Sequence, residues 1–264
     1  MQNLYSRICQ LKITGKLPTK NQINSVFHAF SKKERIVFIV LVLTLFISTI
    51  AILEGINKFL MVKIPLRGGS ISEGIIGTPR FINPILANSP ADLDLVALIY
   101  SGLMRKNSDG TLSEDLAEKY EISKDSLIYT FTLKDKIYFQ DGKPVTADDI
   151  IFTIDKIKDP VIKSLQKIDW ESVTATKIDD KTIKFSLKKP YPSFLENLTL
   201  GIMPKHLWNN SAIELNDANT SPIGSGPYFV KNITKESSGV INSYELESFK
   251  KFILGEPHIK KVNL

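Results

Sequence analysis

Eighteen consecutive uncharged residues, IVFIVLVLTLFISTIAIL from Ile36 to Leu53, constrain this chain before any other feature does. Only Thr44, Ser48 and Thr49 interrupt their apolar character. At ~1.5 Å per residue a helix of that length spans ~27 Å, close to the hydrocarbon thickness of a bilayer. A core helix of a globular domain would carry one polar face, and this run has none. Lys32, Lys33 and Arg35 stand immediately before it. The positive-inside rule therefore predicts a cytoplasmic N-terminus, with everything after Leu53 on the outer side of a cell membrane, in a single pass. A cleaved signal peptide is the competing reading. The run is longer than a typical signal h-region, and AILEGINKFL offers no small-residue cleavage site, so an uncleaved anchor is expected.

The same segment explains the charge. The net charge is +6, and residues 1–35 hold seven Lys/Arg against the single acid Glu34, which is also +6. The remainder is balanced, 27 bases against 27 acids. Without a basic excess it has nothing to attract a phosphate backbone, and no nucleic-acid partner is expected. The one cysteine, Cys9, precedes the apolar run, so the exported part needs no disulfide. Three scattered histidines, His28, His206 and His258, give no transition-metal spacing, and no cofactor is expected.

Beyond the anchor, residues 54–69 read as a spacer. SISEGIIG reads as a first strand and TPRFINP as a loop broken by two prolines. Ser89 as N-cap, Pro90 at the first helical position and Asp92 two further on start a helix, which carries Leu95, Val96, Ile99 and Leu103 on a stripe and stops at Asn107 to Gly110. LSEDLAEKY reads as a short amphipathic helix. SLIYTFTL and KIYFQ read as a hairpin around Lys134 to Lys136, and VTATKI and KTIKFSL as a second one around Asp179-Asp180. Ile183, Phe185 and Leu187 alternate toward one face of that second hairpin. Helices are expected over about 147–158 and 160–168, with short helical or irregular pieces at LENLTL and PKHLWNN. Hairpins mixed with helices indicate an α/β or α+β fold without an all-parallel sheet.

Two stretches invite a chemical reading. FQDGKPVTADDI holds Asp141, Asp148 and Asp149. Asp141-Gly142 is a turn dipeptide. Thr146 and Asp149 have the spacing of a capping box, Asp148 suits the first turn of a helix, and Val145 with Ile150 suits a hydrophobic staple. Capping is the preferred reading, with a metal site or catalysis as alternatives. GSGPY, Gly224 to Tyr228, lacks the phosphate-loop pattern and reads as a tight turn feeding a strand. No nucleophile-elbow or zinc-protease motif is present.

Taken in order, these motifs resemble the extracellular solute-binding proteins of family 5, the dipeptide, oligopeptide and nickel-binding class of ABC importers. The resemblance rests on Asn83-Pro84, Gly102-Leu103, Asp109-Gly110-Thr111-Leu112 and Leu116-Ala117-Glu118. It rests further on the block LIYTFTLKDKIYFQDGKPVTADDIIFTIDKIKDP, on IDDKTIKFSLKKPYPSFL, and on PIGSGPYFV, where Ser225 replaces the usual threonine. It runs from about Ser70 to the last residue. It implies a type II periplasmic-binding-protein-like lobe with a mixed sheet, incomplete because the family continues into a second lobe. The resulting layout is a basic cytoplasmic segment 1–35, a transmembrane anchor 36–53, the spacer 54–69 and the solute-binding portion 70–264.

The function implied is capture of a peptide or related small solute outside the membrane and delivery to ABC permease subunits, without catalysis. The family's first strand-to-helix loop faces the ligand, which makes Thr78, Arg80, Phe81 and Asn83 the ligand-binding candidates. In the competing reading Phe81 packs in the core and Arg80 is merely solvated. A membrane-anchored sensor or structural module of the same fold is the alternative function, and an anchored hydrolase the third.

Overall fold

A computed structural model of the chain describes residues 30–61, 66–209 and 212–264. The basic segment up to residue 29, with Cys9 and His28, lies outside the described residues. The chain divides into two compact units, one up to Ile64 and one from Pro65 onward.

The first unit is helix α1, Lys32–Leu60. Ser31 caps it: the Glu34 amide donates to Ser31 Oγ at 3.4 Å, and the Ser31 amide donates to the Glu34 carboxylate at 2.8 Å. The hydroxyls of Thr44 and Thr49 donate to the carbonyls of Val40 and Leu45, each at 2.8 Å, so both threonines of the run are satisfied by the helix itself. None of its residues is buried. By length and composition α1 can cross a membrane. It continues about two turns past Leu53, so Glu54–Leu60, expected as spacer, are helical.

The second unit is built on two four-stranded sheets. The first is mixed, in the order β1 (Gly68–Ser72), β10 (Ile259–Asn263), β9 (Ile241–Ser248), β8 (Tyr228–Lys235). β1 runs parallel to β10, and the other pairs are antiparallel. Helix α2 (Pro90–Ile99) covers one of its faces, burying Leu95 and Ile99 in a cluster with Ile82, Tyr244, Leu246 and Val262.

The second sheet is wholly antiparallel, in the order β4 (Ala117–Ile122), β5 (Ile128–Leu133), β7 (Thr182–Leu187), β6 (Val173–Lys177). Its inner face meets α3 (Ala147–Lys158) and the short helices α4 (Lys167–Trp170), α5 (Phe194–Asn197) and α6 (Lys205–Trp208). Ile183, Phe185 and Leu187 all point inward, as their alternation predicts. A small pair, β2 (Met104–Lys106) with β3 (Leu112–Glu114), completes the set.

Several local expectations fail for a tertiary reason. LSEDLAEKY forms β3 and β4 instead of a helix, because β5 offers an edge that β4 occupies in register Tyr120 to Phe131. KIYFQ forms no ladder: β5 is already paired on both sides, by β4 and β7, and only a Tyr138–Pro144 bridge remains. Residues 160–166 make turns and irregular chain, with Lys163 at positive φ, after Asp159 leaves the helical region ahead of Pro160, and helix resumes only with α4 at Lys167. α2 stops at Ile99, not near Asn107, since Tyr100 is extended and Gly102 lies against the backbone of Leu198 to Leu200. β1 begins two residues earlier than SISEGIIG and ends at Ser72, leaving 73–79 as loop.

Candidate binding site

The segment between β1 and α2 is positioned by one buried carboxylate. Asp92, only 2% exposed, accepts the amides of Arg80 at 2.8 Å and Phe81 at 2.9 Å through Oδ1. Its Oδ2 accepts the Ser89 hydroxyl at 2.7 Å, while Ser89 Oγ caps the Asp92 amide at 3.1 Å. The capping box that starts α2 thus also holds the preceding loop.

The four sequence candidates share that loop but not one environment. Thr78 and Arg80 are exposed, Phe81 is half-buried, and Asn83 is fully buried. The Arg80 guanidinium lies 5.7 Å from the centroid of the Phe81 ring, a cation–π contact that fixes the side chain's direction. Asn83 Nδ2 donates to Asn219 Oδ1 at 3.2 Å, and its Oδ1 accepts the Ile85 amide at 3.0 Å. Asn219 in turn donates to the Ile213 carbonyl, and its own carbonyl accepts the Ile82 amide. Asn83 therefore organises the loop from inside, with a partner, Asn219, that no local sequence signal marks.

Beside the loop, at the C-terminal ends of β1 and β10, lies a groove of about 330 Å³. Ser72 to Ile75, Gly77 and Pro79 form one wall, and Ile241 to Tyr244 with Asn263 and Leu264 form the other. Thr78 sits between two lining residues, although none of the four candidates itself lines the groove. Its walls alternate isoleucine and proline with serine, asparagine and Glu73, so an occupant meets both apolar contact and hydrogen-bonding groups.

The three aspartates of FQDGKPVTADDI are all engaged in holding structure. Asp141 accepts the Lys143 amide at 3.1 Å in a turn closed by Gly142, whose φ of +87° favours glycine, and its second oxygen lies 2.6 Å from His206 Nε2. Asp149 accepts the Thr146 amide at 2.9 Å and the Lys205 amide at 2.9 Å, joining α3 to α6. Asp148 meets Lys177 Nζ at 2.6 Å, and that hydrogen bond holds its carboxyl below the usual range. Among the described residues no three His, Cys, Asp or Glu side chains gather as metal ligands.

Gln140 in the same stretch has a role the sequence did not suggest. Its side chain accepts the Gly224 amide at 2.9 Å and donates to the carbonyls of Tyr228 at 2.7 Å and Ile99 at 3.1 Å. The GSGPY turn, Gln140 and the end of α2 therefore form one joint between the two sheets.

A mixed sheet backed by one helix, an antiparallel sheet beside it and a groove at the sheet's end define one lobe of a type II periplasmic binding protein. Solved structures agree. The oligopeptide-binding protein AppA of Bacillus subtilis, crystallised with a nonapeptide, superposes with a TM-score of 0.68 at 28% identity, covering 76% of this chain and 40% of that one. NikZ of Campylobacter jejuni, in complex with Ni(L-His), gives 0.62 at 29%, covering 76% and 39%. The substrate-binding protein CtaP of Listeria monocytogenes gives 0.65 at 35%, covering 75% and 40%. Residues 111–264 match the family described as bacterial extracellular solute-binding proteins, family 5 Middle. The chain belongs to that family. In sequence it is 29% identical to AppA over 205 residues, 75% of this chain and 37% of that protein. It spans about a third of the length of the curated relatives it matches.

Proposed function

We propose that the chain is the substrate-binding component of an ABC import system, capturing a peptide or a related small solute outside the membrane and passing it to a permease. In this reading α1 is the membrane anchor, residues 1–35 are cytoplasmic, and the domain from about Ser70 onward is extracytoplasmic. The groove beside the 73–83 loop, in a family-5 fold, is the observation that carries the reading. The nonapeptide in AppA and the nickel–histidine complex in NikZ set the range of solutes to try. No reaction is required: the groove's polar and apolar walls serve recognition alone.

Within the loop, Thr78 and Arg80, exposed beside the groove though not lining it, would meet the part of a solute that reaches past its rim. Phe81 would orient Arg80, and Asn83 would hold the backbone they depend on. Closure of a second lobe supplies much of the burial in two-lobed binding proteins, so affinity for this portion by itself should be weak. The test is a melting-temperature screen of the detergent-solubilised chain with di- to nonapeptides, sugars and nickel–histidine, followed by Arg80→Ala. A shift from one solute class, weakened several-fold by Arg80→Ala, is expected. A flat response across the whole panel, with solutes at the roughly millimolar levels that weak binding requires, would sink the reading.

A further inference from the structure

One end of the mixed sheet is basic, and its charge suggests what it touches. β1 and β10 run parallel with Gly68 opposite Ile259, and β9 finishes at Ser248. The start of β1 and the β9–β10 connection therefore crowd a single end of the sheet. That end exposes Arg67, Lys250, Lys251 and Lys260. The acid beside them is Glu256, half-buried, 3.8 Å from Arg67 and hydrogen-bonded to Ser248. Lys231 and Lys261, on the face of the same sheet, are each matched by a glutamate across the strands, Glu247 and Glu245. Among the described residues no carboxylate lies within 4 Å of Lys250, Lys251 or Lys260; Lys251 Nζ instead lies 5.3 Å from the Tyr138 ring centroid. Leu66, 94% exposed, and Leu254, 37% exposed, stand among these cations.

This basic end is where the chain arrives from α1. Eight residues lead from Leu60 to Gly68, a reach of at most about 27 Å when fully extended. We propose that the Arg67, Lys250, Lys251 and Lys260 end of the sheet is a membrane-contacting surface that binds anionic phospholipid headgroups. The inference rests on the reading of α1 as a membrane anchor. Charge complementarity supports an anionic lipid as the occupant, because clustered lysines attract a negative bilayer surface within a Debye length. The exposed leucines supply the shallow apolar contact of an interfacial surface. The groove opens at the opposite end of β1 and β10, about five residues or ~16 Å away, so headgroup contact leaves it uncovered.

The full chain in lipid vesicles tests this, in a Cys9→Ser background with a fluorophore on Leu254→Cys or, as the remote control, on Ser238→Cys in the β8–β9 turn. The vesicles carry a headgroup-attached quencher and are either neutral phosphatidylcholine or contain about a third phosphatidylglycerol. Quenching at position 254 should be at least about two-fold stronger on the anionic vesicles at low salt. The difference should vanish at high salt and in the triple variant Lys250→Ser, Lys251→Ser, Lys260→Ser, while position 238 stays unchanged. An alkaline carbonate wash reports on the anchor separately. A chain that washes off overturns the anchoring reading and this proposal with it. A chain that resists the wash but is quenched equally on both lipids, or equally in the triple variant, overturns this proposal alone.

Discussion

The two sheets stand on cores of very different size. Among the described residues, the antiparallel sheet and its helices share one cluster of 28 buried apolar residues, while the mixed sheet and α2 share eight. In the first, aromatic rings lock one another: Phe185 contacts Phe131, Trp170 and Phe194 at centroid distances of 5.7 to 6.2 Å. In the second, β1 is exposed along almost its whole length and its outer edge is unpaired. The groove and the candidate loop both lie at the thinly packed sheet. Rigidity is concentrated in one half and accessible backbone in the other, as expected where a scaffold carries a recognition surface.

The largest break in this contrast should come from Phe185→Ala. Deleting a fully buried ring from an aromatic cluster costs about 3–5 kcal/mol. Leu246→Ala, at the centre of the smaller cluster, should cost about 2–3 kcal/mol, since the thinner layer around it can relax. Urea unfolding followed by the fluorescence of Trp170 and Trp208 measures both. Equal costs would remove the distinction between the two cores.

A second break targets the joint. A Cβ on Gly224 would lie 2.1 Å from the Ile99 carbonyl oxygen and 2.8 Å from its carbon, and neither backbone atom can swing away as a side chain can. Gly224→Ala should therefore cost about 3 kcal/mol, at the upper end of overpacking effects. It should also loosen the Gln140 contacts, visible as faster amide exchange at Gly226, whose N–H donates to the Ile99 carbonyl at 2.8 Å. Unchanged stability would mean that the two sheets are joined elsewhere.

The same contrast governs what could be read from the sequence. Signals local to one element came through: the caps at Ser89 and Thr146, the β6–β7 hairpin, and the turn at Asp141-Gly142. So did the family, because its motifs are strung along the chain. What failed depended on partners far away. LSEDLAEKY carries a helical pattern, yet an open edge of β5 claims it as strand. Gln140 gives no hint of a role, since Gly224 and Tyr228 lie 84 and 88 positions further on. The loop was legible as a loop, but which of its residues face outward was set by Asp92 and Asn219. Burial of Asn83 follows from a side-chain pair 136 positions apart.

The smallest predicted effect separates buried from exposed charge. Asp115, 6% exposed between β3 and β4, is pushed by burial from 3.8 up to about 6; the Ser101 hydroxyl, Lys134 and Arg105 oppose the rise without cancelling it. A carboxyl whose folded value is raised binds its proton more tightly in the native state. Its stabilising contribution is complete below the unfolded value of 3.8 and is lost as pH climbs through about 6. At about 1.4 kcal/mol per pH unit at the steepest point, the loss between roughly pH 4 and 7 amounts to about 2 kcal/mol. Asp115→Asn keeps the shape and removes the proton, so its urea midpoint should stay level where the parent's falls. If the two fall in parallel over that window, Asp115 is ionised at low pH despite its burial, and the cost of a charge in the larger core is less than its packing implies.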